Sequence, residues 1–243
     1  MSGTAKRSSR ASSAPGPEAA GAKPRRAASA PEPAAIDASD RHLRALELPV
    51  VEAARALVGC TIVYEDCLGV IVETEAYHES EPACHAFVGL TPRTKPLFHA
   101  PGIAYVYRSY GVHALLNVVV EPAGVGAAVL IRALEPVTGL AGMFARRARP
   151  LQTDLCSGPG KLTQALGIGL SLNETSLLDG PIRLGAPLPD RPPAEIVTGV
   201  RVGITRAVEL PWRFCEAANR NVSRPWPPGL LGPRASGSRR RSA

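Results

Sequence analysis

Residues 72–77 read VETEAY and place two carboxylates in a stretch that otherwise has the character of a β-strand. Because side chains alternate between the two faces of a strand, Glu73, Glu75 and Tyr77 share one face. Such a face can be the solvated side of a two-sided sheet. It can also bring two acids and a phenol into one site, where a carboxylate would act as a general base.

Two polar residues interrupt other apolar strands. Asn117 lies within ALLNVVV and Arg132 within VLIRAL. Buried polar groups need hydrogen-bonding partners, and we expect a carboxylate such as Glu75 to be one of them. An acid held by an asparagine and an arginine stays ionised, as a general base must, although a purely structural ion-pair network would have the same pattern.

Three of the five tyrosines lie close together, in YVYRSYG. Tyr105 and Tyr107 share one face of a predicted strand, and packing in the sheet is the simpler role for Tyr105. Tyr110 occupies the turn that follows. We therefore predict that its ring is exposed at the tip of this turn.

Composition predicts one folded domain between two tails. The 243 residues are 45% hydrophobic, enough for a good core. The first 40 residues are rich in Ala, Ser, Pro and Arg and have almost no large apolar side chains, so we predict a disordered tail over 1–42. The folded domain is predicted over 43–226, and a second disordered, basic tail over 227–243.

The net charge of +7 is concentrated in these tails, because residues 42–212 carry 14 basic against 16 acidic residues. Charge alone therefore does not indicate nucleic-acid binding. The five cysteines are odd in number and form no CxxC pair, which argues against a disulfide framework and a zinc ribbon. With no secretion signal and no uncharged apolar run of membrane-spanning length, we expect a cytoplasmic protein without membrane contact.

The periodicity of apolar residues predicts an α+β domain around an antiparallel sheet. Helices are predicted over 48–59, 139–148 and from about Pro159 onward. Strands are predicted within 60–77, 103–121, 126–136 and 201–207, with a polar turn near Glu65 and Asp66. A long loop with little periodicity separates the first two strand regions, a length that is unusual unless the loop has a function.

Seven strings of this sequence appear together in one order: VETEAY, HAF-x-G-x-TPR, YVY-x-x-YG, LLNVVVE, VLIRALEP, LCSGPGKLTQALGI and PWRF. In these the chain resembles the alkyladenine DNA glycosylase family, also called 3-methyladenine or methylpurine DNA glycosylases, over about residues 45–225. The resemblance implies a single mixed domain around a curved antiparallel β-sheet with surrounding helices. It also implies binding to double-stranded DNA through the minor groove and excision of alkylated or deaminated purines in base excision repair, without metal or cofactor. We expect a monomer, nucleoid-associated in a prokaryote or nuclear in a eukaryote.

The resemblance assigns the chemistry to one of the two acids. Glu75 would be the general base that activates water for attack on the sugar C1′, and Arg132 would help to hold both that water and Glu75. Glu73 is interpreted as structural. A purine alkylated at N3 or N7 is positively charged and already a good leaving group, so the enzyme must mainly extrude it, orient it and deliver water.

The resemblance assigns the binding of the extruded base to other residues. Tyr77, His85 and Tyr107 would stack on the flipped base, and the amide of Asn117 would oppose the amino group of normal guanine. Tyr110 would be the wedge that enters the minor groove and fills the gap left by the flipped nucleotide.

Contacts to the DNA backbone are predicted for Arg93, Lys95 and Lys161. In SGPGK, the amides at the start of a helix could bind a phosphate or could simply cap the helix. These two lysines are also the only ones in the folded region, so few amines are available for a lyase reaction.

The sequence departs from the family pattern at three positions. Val88 stands where a basic residue is common, and Thr94 replaces the usual Asn of TPRN; both changes put the DNA contacts of the loop in question. Cys215 replaces an aromatic residue, a change that we expect to affect packing only.

Two other functions are compatible with parts of the pattern. A metal-dependent hydrolase could use Glu73, Glu75, His78 and His85, although these lack metal-ligand spacing. A DNA-binding module of the same fold would keep the DNA surface without turnover.

Overall fold

In the computed structural model, residues 41–231 are described, and the predictions for 1–40 and 232–243 lie outside them. An antiparallel sheet of eight strands forms the frame, with the order β3-β4-β5-β2-β1-β6 and with β8 joining β2 to β7. The strands are β1 Thr61–Tyr64, β2 Cys67–His78, β3 Ala104–Ser109, β4 His113–Val119, β5 Ala127–Thr138, β6 Ile182–Gly185, β7 Ile196–Gly199 and β8 Arg213–Glu216.

Strand β2 is the centre of the sheet. One of its edges pairs with β5 along almost the whole strand, while the other edge pairs first with β1 and then with β8. The register between β2 and β5 shifts on both sides of Glu73, and such irregularities bend and twist a strand. The sheet is therefore curled, and the prediction of an α+β domain around a curved antiparallel sheet is confirmed.

Within residues 41–231, four helices accompany the sheet: α1 Arg41–Ala45, α2 Val50–Ala56, α3 Leu140–Arg147 and α4 Pro159–Leu166. Helix α2 packs on β2 and β5, α4 packs on β4 and β5, and α3 packs on α4. Proline at the first position of α4 fits the helix start, because its missing N–H would have no partner there. Together they bury a core that includes Leu57, Ile71, Ile131 and Leu162.

The long loop after β2 contains two short 3₁₀ helices, His85–Val88 and Lys95–Phe98. Two further 3₁₀ helices, Gln152–Asp154 and Leu170–Leu172, lie in later connections. The loop therefore follows a defined path beside the sheet.

The predicted strand over 201–207 is wrong. This segment has no regular structure, because its polar groups bind β2 individually: Val202 donates its N–H to the Glu75 carboxylate and Arg201 donates to the Ala76 carbonyl. The late strands are instead the four-residue β6, β7 and β8.

The chain remains packed to the last described residues. Leu230, within the stretch 227–243 assigned to a tail, is 1% exposed and packs in a small apolar cluster with Val72, Ala133 and Cys215. Within 41–231, no helix has the length and apolar character needed to cross a bilayer.

Candidate active site

The two acids of β2 lie in the interior. Glu73, Glu75 and Thr74 between them are all 0% exposed, so the solvated-face interpretation is wrong. Arg132 on β5 binds both acids, with Nε 2.9 Å from Glu73 Oε1 and Nη1 3.2 Å from Glu75 Oε2. The predicted pairing of Arg132 with Glu75 is confirmed.

Glu75 receives two further hydrogen bonds. The hydroxyl of Tyr77 donates to Oε2 at 2.8 Å, and the backbone N–H of Val202 donates to Oε1 at 2.7 Å. A carboxylate has about four lone-pair sites, so with Arg132 included three are occupied and one on Oε1 is left.

Glu73 has its own set of partners. Arg132 and Arg213 both donate to its Oε1, and Ser223 donates its backbone N–H to Oε2 and its hydroxyl to Oε1. These four hydrogen bonds, one more than Glu75 accepts, fix the carboxylate in place. Its contribution is to hold Arg132 in place beside Glu75.

Electrostatics in this cluster is a balance between burial and pairing. Burial raises the pKa of Glu75 above its ordinary value, against the opposing effects of Arg132, the Val202 N–H and the Tyr77 hydroxyl. Burial opposes the charge of Arg132, but Glu75 and Glu73 together raise its pKa. The arginine therefore stays charged, while the Glu75 carboxyl takes up a proton more readily than an exposed glutamate.

Tyr77 is held from its other side by a cation. The guanidinium carbon of Arg201 lies 4.7 Å from the Tyr77 ring centroid and 5.3 Å from that of Trp212. Arg201 is itself fixed by two hydrogen bonds to Glu81, at 2.6 and 2.9 Å. The ring and hydroxyl of Tyr77 thus have one defined position.

A cavity of about 770 Å³ opens over this network. Eight of the predicted site residues line it: Tyr77, His85, Tyr107, Tyr110, Asn117, Arg132 and the two DNA-backbone candidates Arg93 and Lys161. Glu75 itself lies directly behind the wall, since Tyr77, Arg132 and Val202, which bind its carboxylate, all line the cavity.

One wall of the cavity is aromatic. The Tyr105 and Tyr107 rings stack with centroids 5.2 Å apart, and the His85 ring meets Tyr107 edge-on at 4.7 Å. Tyr105 is 3% exposed, as predicted for a sheet aromatic. Such a wall suits a planar, apolar-faced ligand.

His85 is held by both ring nitrogens. Arg93 Nη2 lies 3.4 Å from Nε2 and can only donate, so Nδ1 donates to the Tyr105 hydroxyl at 3.0 Å. Burial, and then the Arg93 charge, lower the pKa of His85. The imidazole is therefore neutral near neutral pH.

Asn117 lies opposite Tyr105 in the β3–β4 pair and is 5% exposed. Its amide donates to the Tyr105 carbonyl at 3.0 Å, which fixes the direction of the side chain. The prediction that Glu75 would be its partner is wrong, because Asn117 is satisfied by the neighbouring strand.

The β3–β4 hairpin presents Tyr110 at its tip. Ser109 pairs with His113, and the loop between them carries Tyr110 and Gly111 with φ angles of 49° and 72°. Tyr110 is 89% exposed, so the prediction of an exposed ring is confirmed. A left-handed backbone at a large non-glycine residue is strained, and such strain is frequent at functional sites.

Basic residues surround the cavity mouth. Arg93 and Lys161 line it as predicted, whereas Lys95 is exposed in its 3₁₀ helix and does not. Lys161 donates to the Ser157 hydroxyl at 3.3 Å. Three further cations that sequence reasoning missed also line the cavity: Arg108, Arg147 and Arg206.

The three departures from the family pattern have different surroundings. Thr94 is buried, and its hydroxyl accepts from the Thr91 N–H and donates to the Gly89 carbonyl, so it ties the loop together. Val88 is 73% exposed. Cys215 is fully buried in β8 and only packs, as expected.

Residues 41–231 contain no group of three or more His, Cys, Asp or Glu side chains placed to hold a metal ion. His78, which the hydrolase alternative requires, binds Ser80 and faces Glu121 instead. The five cysteines are all buried.

Four groups at the site had no sequence signal: Arg201, Val202, Arg213 and Ser223. They come from the connection after β7, from β8 and from the segment that follows β8, 120 or more residues from the acids they bind. Only the string PWRF marked Arg213, and nothing in it indicated a buried arginine.

Known proteins resemble this chain over its folded part. A family model described as methylpurine-DNA glycosylase matches residues 44–220. A relative from Bradyrhizobium diazoefficiens is 52% identical over 180 residues, covering 73% of this chain and 88% of its own length. Relatives from Rhodopseudomonas palustris (51% identical, 73% and 87% covered) and Methanoculleus marisnigri (49% identical, 73% and 95% covered) are similar. All three are named "Putative 3-methyladenine DNA glycosylase".

Proposed function

The chain belongs to the methylpurine-DNA glycosylase family, and from this membership and the site geometry we propose that it is a monofunctional DNA glycosylase of base excision repair. It acts as a monomer on double-stranded DNA, flips an alkylated or deaminated purine into the cavity and hydrolyses its N-glycosidic bond. The substrates are the 3-methyladenine, 7-methylguanine and hypoxanthine class.

The observation that carries this proposal is the placement of Glu75. It is a buried carboxylate with three fixed donors and one remaining acceptor site, directly behind the wall of a cavity sized for a nucleotide. Cavities that bind small ligands have volumes of roughly 300–1,000 Å³. A water bound at the remaining site on Oε1 would be oriented and activated by a base that the protein holds rigidly.

In the proposed reaction, the water oxygen forms a bond to C1′ as the bond between C1′ and the purine nitrogen breaks. Glu75 takes the water proton, and the purine leaves with the bonding electron pair. Arg132 stays protonated near the developing sugar cation, because the carboxylates of Glu73 and Glu75 balance its positive charge. An abasic site and a free base are the products.

Binding and extrusion fall to the aromatic wall and the hairpin. The flipped base stacks on Tyr77, His85 and Tyr107. The amide of Asn117, which also lines the cavity, disfavours the amino group of normal guanine. Tyr110 enters the minor groove and replaces the stacking lost when the nucleotide leaves the duplex.

A panel of duplexes, each with one modified purine, tests the function. We expect abasic sites, detected by alkaline strand cleavage, at methylated purines and hypoxanthine under excess enzyme. Binding to these duplexes without any abasic site would contradict the proposal and favour a binding module.

The monofunctional assignment has a separate test. Lys161 binds Ser157 and Lys95 lies outside the cavity lining, so neither described lysine is placed as a free nucleophile. Borohydride should trap no covalent protein–DNA adduct, and activity should survive EDTA. A trapped adduct would identify an amine nucleophile and exclude this assignment.

A further inference from the structure

A second, smaller cavity of about 360 Å³ adjoins the first. Four cationic side chains line it, Arg132, Lys161, Arg220 and Arg224, together with the hydroxyl-bearing Thr153, Ser157 and Ser223. No carboxylate belongs to its lining. The cavity therefore offers many hydrogen-bond donors and several positive charges to whatever enters it.

Three of the four cations have no acidic partner. Arg132 is neutralised by Glu73 and Glu75, but none of Lys161, Arg220 and Arg224 forms an ion pair with a carboxylate among residues 41–231. Like charges gathered around one cavity repel each other. An anion bound between them would relieve that repulsion.

The C-terminal wall of the cavity is rigid. The Arg224 guanidinium lies 4.4 Å above the Trp226 ring, and the indole N–H donates to the Val222 carbonyl at 3.0 Å. Ser223, which lies between Val222 and Arg224 in the chain, is bound to Glu73 by both its N–H and its hydroxyl. A guanidinium held in this way loses little conformational freedom on binding, although Arg224 itself faces solvent.

The second cavity lies directly beside the first. Arg132, Gly158, Pro159 and Lys161 line both, so the two are separated only by the start of α4 and by Arg132. A strand whose nucleotide enters the first cavity carries phosphates on either side of that nucleotide.

We propose that the second cavity is a phosphate-binding site that takes one backbone phosphate of the DNA, with Arg220 and Arg224 as its principal ligands. This inference rests on the proposed function in that the phosphate belongs to duplex DNA. It adds residues from the C-terminal segment, which no sequence motif marked, to the DNA-binding surface. Arginine suits this role because its planar donors match two phosphate oxygens at once.

The salt dependence of binding tests the site without requiring turnover. The double variant Arg220→Gln, Arg224→Gln should bind undamaged duplex with a slope of log K against log salt that is smaller in magnitude by about 1 than that of the wild type. The control Arg183→Gln removes an exposed arginine of β6 that lines neither cavity, and it should keep the wild-type slope. An unchanged slope in the double variant would overturn the proposal.

A phosphate scan then locates the contact. Single neutral methylphosphonates are placed along both strands of a lesion duplex, and binding is measured in the Glu75→Gln background and in that background with the double substitution. We expect one position near the lesion whose neutralisation weakens binding only when Arg220 and Arg224 are present. Equal penalties at every position in both proteins would exclude a specific backbone contact.

Titration with inorganic phosphate distinguishes a free anion from DNA. If the double variant loses inorganic-phosphate binding but keeps the wild-type salt slope, the cavity serves a free anion and the proposal is wrong. Failure of the glycosylase assignment itself would appear as absence of abasic sites in the lesion panel, a result independent of the salt slope.

Discussion

The buried Glu75–Arg132 pair beside the larger cavity and Tyr110 at the tip of the β3–β4 hairpin lie in opposite surroundings. Glu75 and Arg132 lie on central strands, are almost inaccessible and are bound by side chains from distant segments. Tyr110 is 89% exposed and has a strained backbone. In the proposed mechanism, the groups that would act on the glycosidic bond are thus preorganised by the core, whereas the ring that would enter the duplex is exposed at a hairpin tip.

The comparison is tested most severely at Glu75. The change Glu75→Gln keeps the size of the side chain but removes its basicity, so single-turnover base release should fall about a hundredfold or more. Lesion-DNA binding should stay within a few-fold of the wild type. Release at a near wild-type rate would show that another group activates the water.

Glu73 should respond in stability instead. Glu73→Gln leaves the buried Arg213 without a counter-charge and leaves Arg132 with only one of its two carboxylate partners. The free energy of unfolding in urea should therefore fall by about 3 kcal/mol. A substantial part of the excision activity should remain in the folded protein. The exposed Glu195→Gln serves as control and should change stability by less than about 0.5 kcal/mol. Equal loss of base release from Glu73→Gln and Glu75→Gln would mean that the two acids act as a pair.

Two tyrosines of one hairpin provide a matched pair for the other region. Tyr105→Ser should lower the free energy of unfolding by about 3 kcal/mol because its ring is buried. Tyr110→Ser should leave the melting temperature nearly unchanged and yet weaken lesion binding and slow excision from duplex DNA. A large fall in melting temperature for Tyr110→Ser would refute its assignment as the wedge.

The smallest expected effect is a shift in pH dependence. As the proposed general base, Glu75 must be ionised, and burial raises its pKa, so the rate should decline with falling pH at a higher pH than an ordinary glutamate would give. Tyr77→Phe removes a hydrogen bond that lowers this pKa and should move the acid limb further upward. Tyr105→Phe, whose hydroxyl binds His85 rather than Glu75, should not move it. An acid limb that Tyr77→Phe leaves in place would show that Glu75 does not control it.

Sequence alone determined the regular parts of the molecule and the local geometry of the site. Alternation in VETEAY placed Glu73, Glu75 and Tyr77 together. Apolar periodicity identified β1 to β5 and helices α2, α3 and α4, and the turn residues placed Tyr110 at a tip. These features depend on neighbours along the chain, which a sequence displays directly.

Tertiary structure alone decided which groups surround the acids and how buried they are. The four-residue strands β6, β7 and β8 are too short to show a period, and the segment 201–207 reads as a strand although its backbone serves Glu75. Arg213 and Ser223 reach Glu73 from 140 and 150 residues away. A sequence does not distinguish a buried arginine from an exposed one. Only the folded chain shows that Arg201 and Arg213 are buried beside the candidate site, while Arg220 and Arg224 line the second cavity.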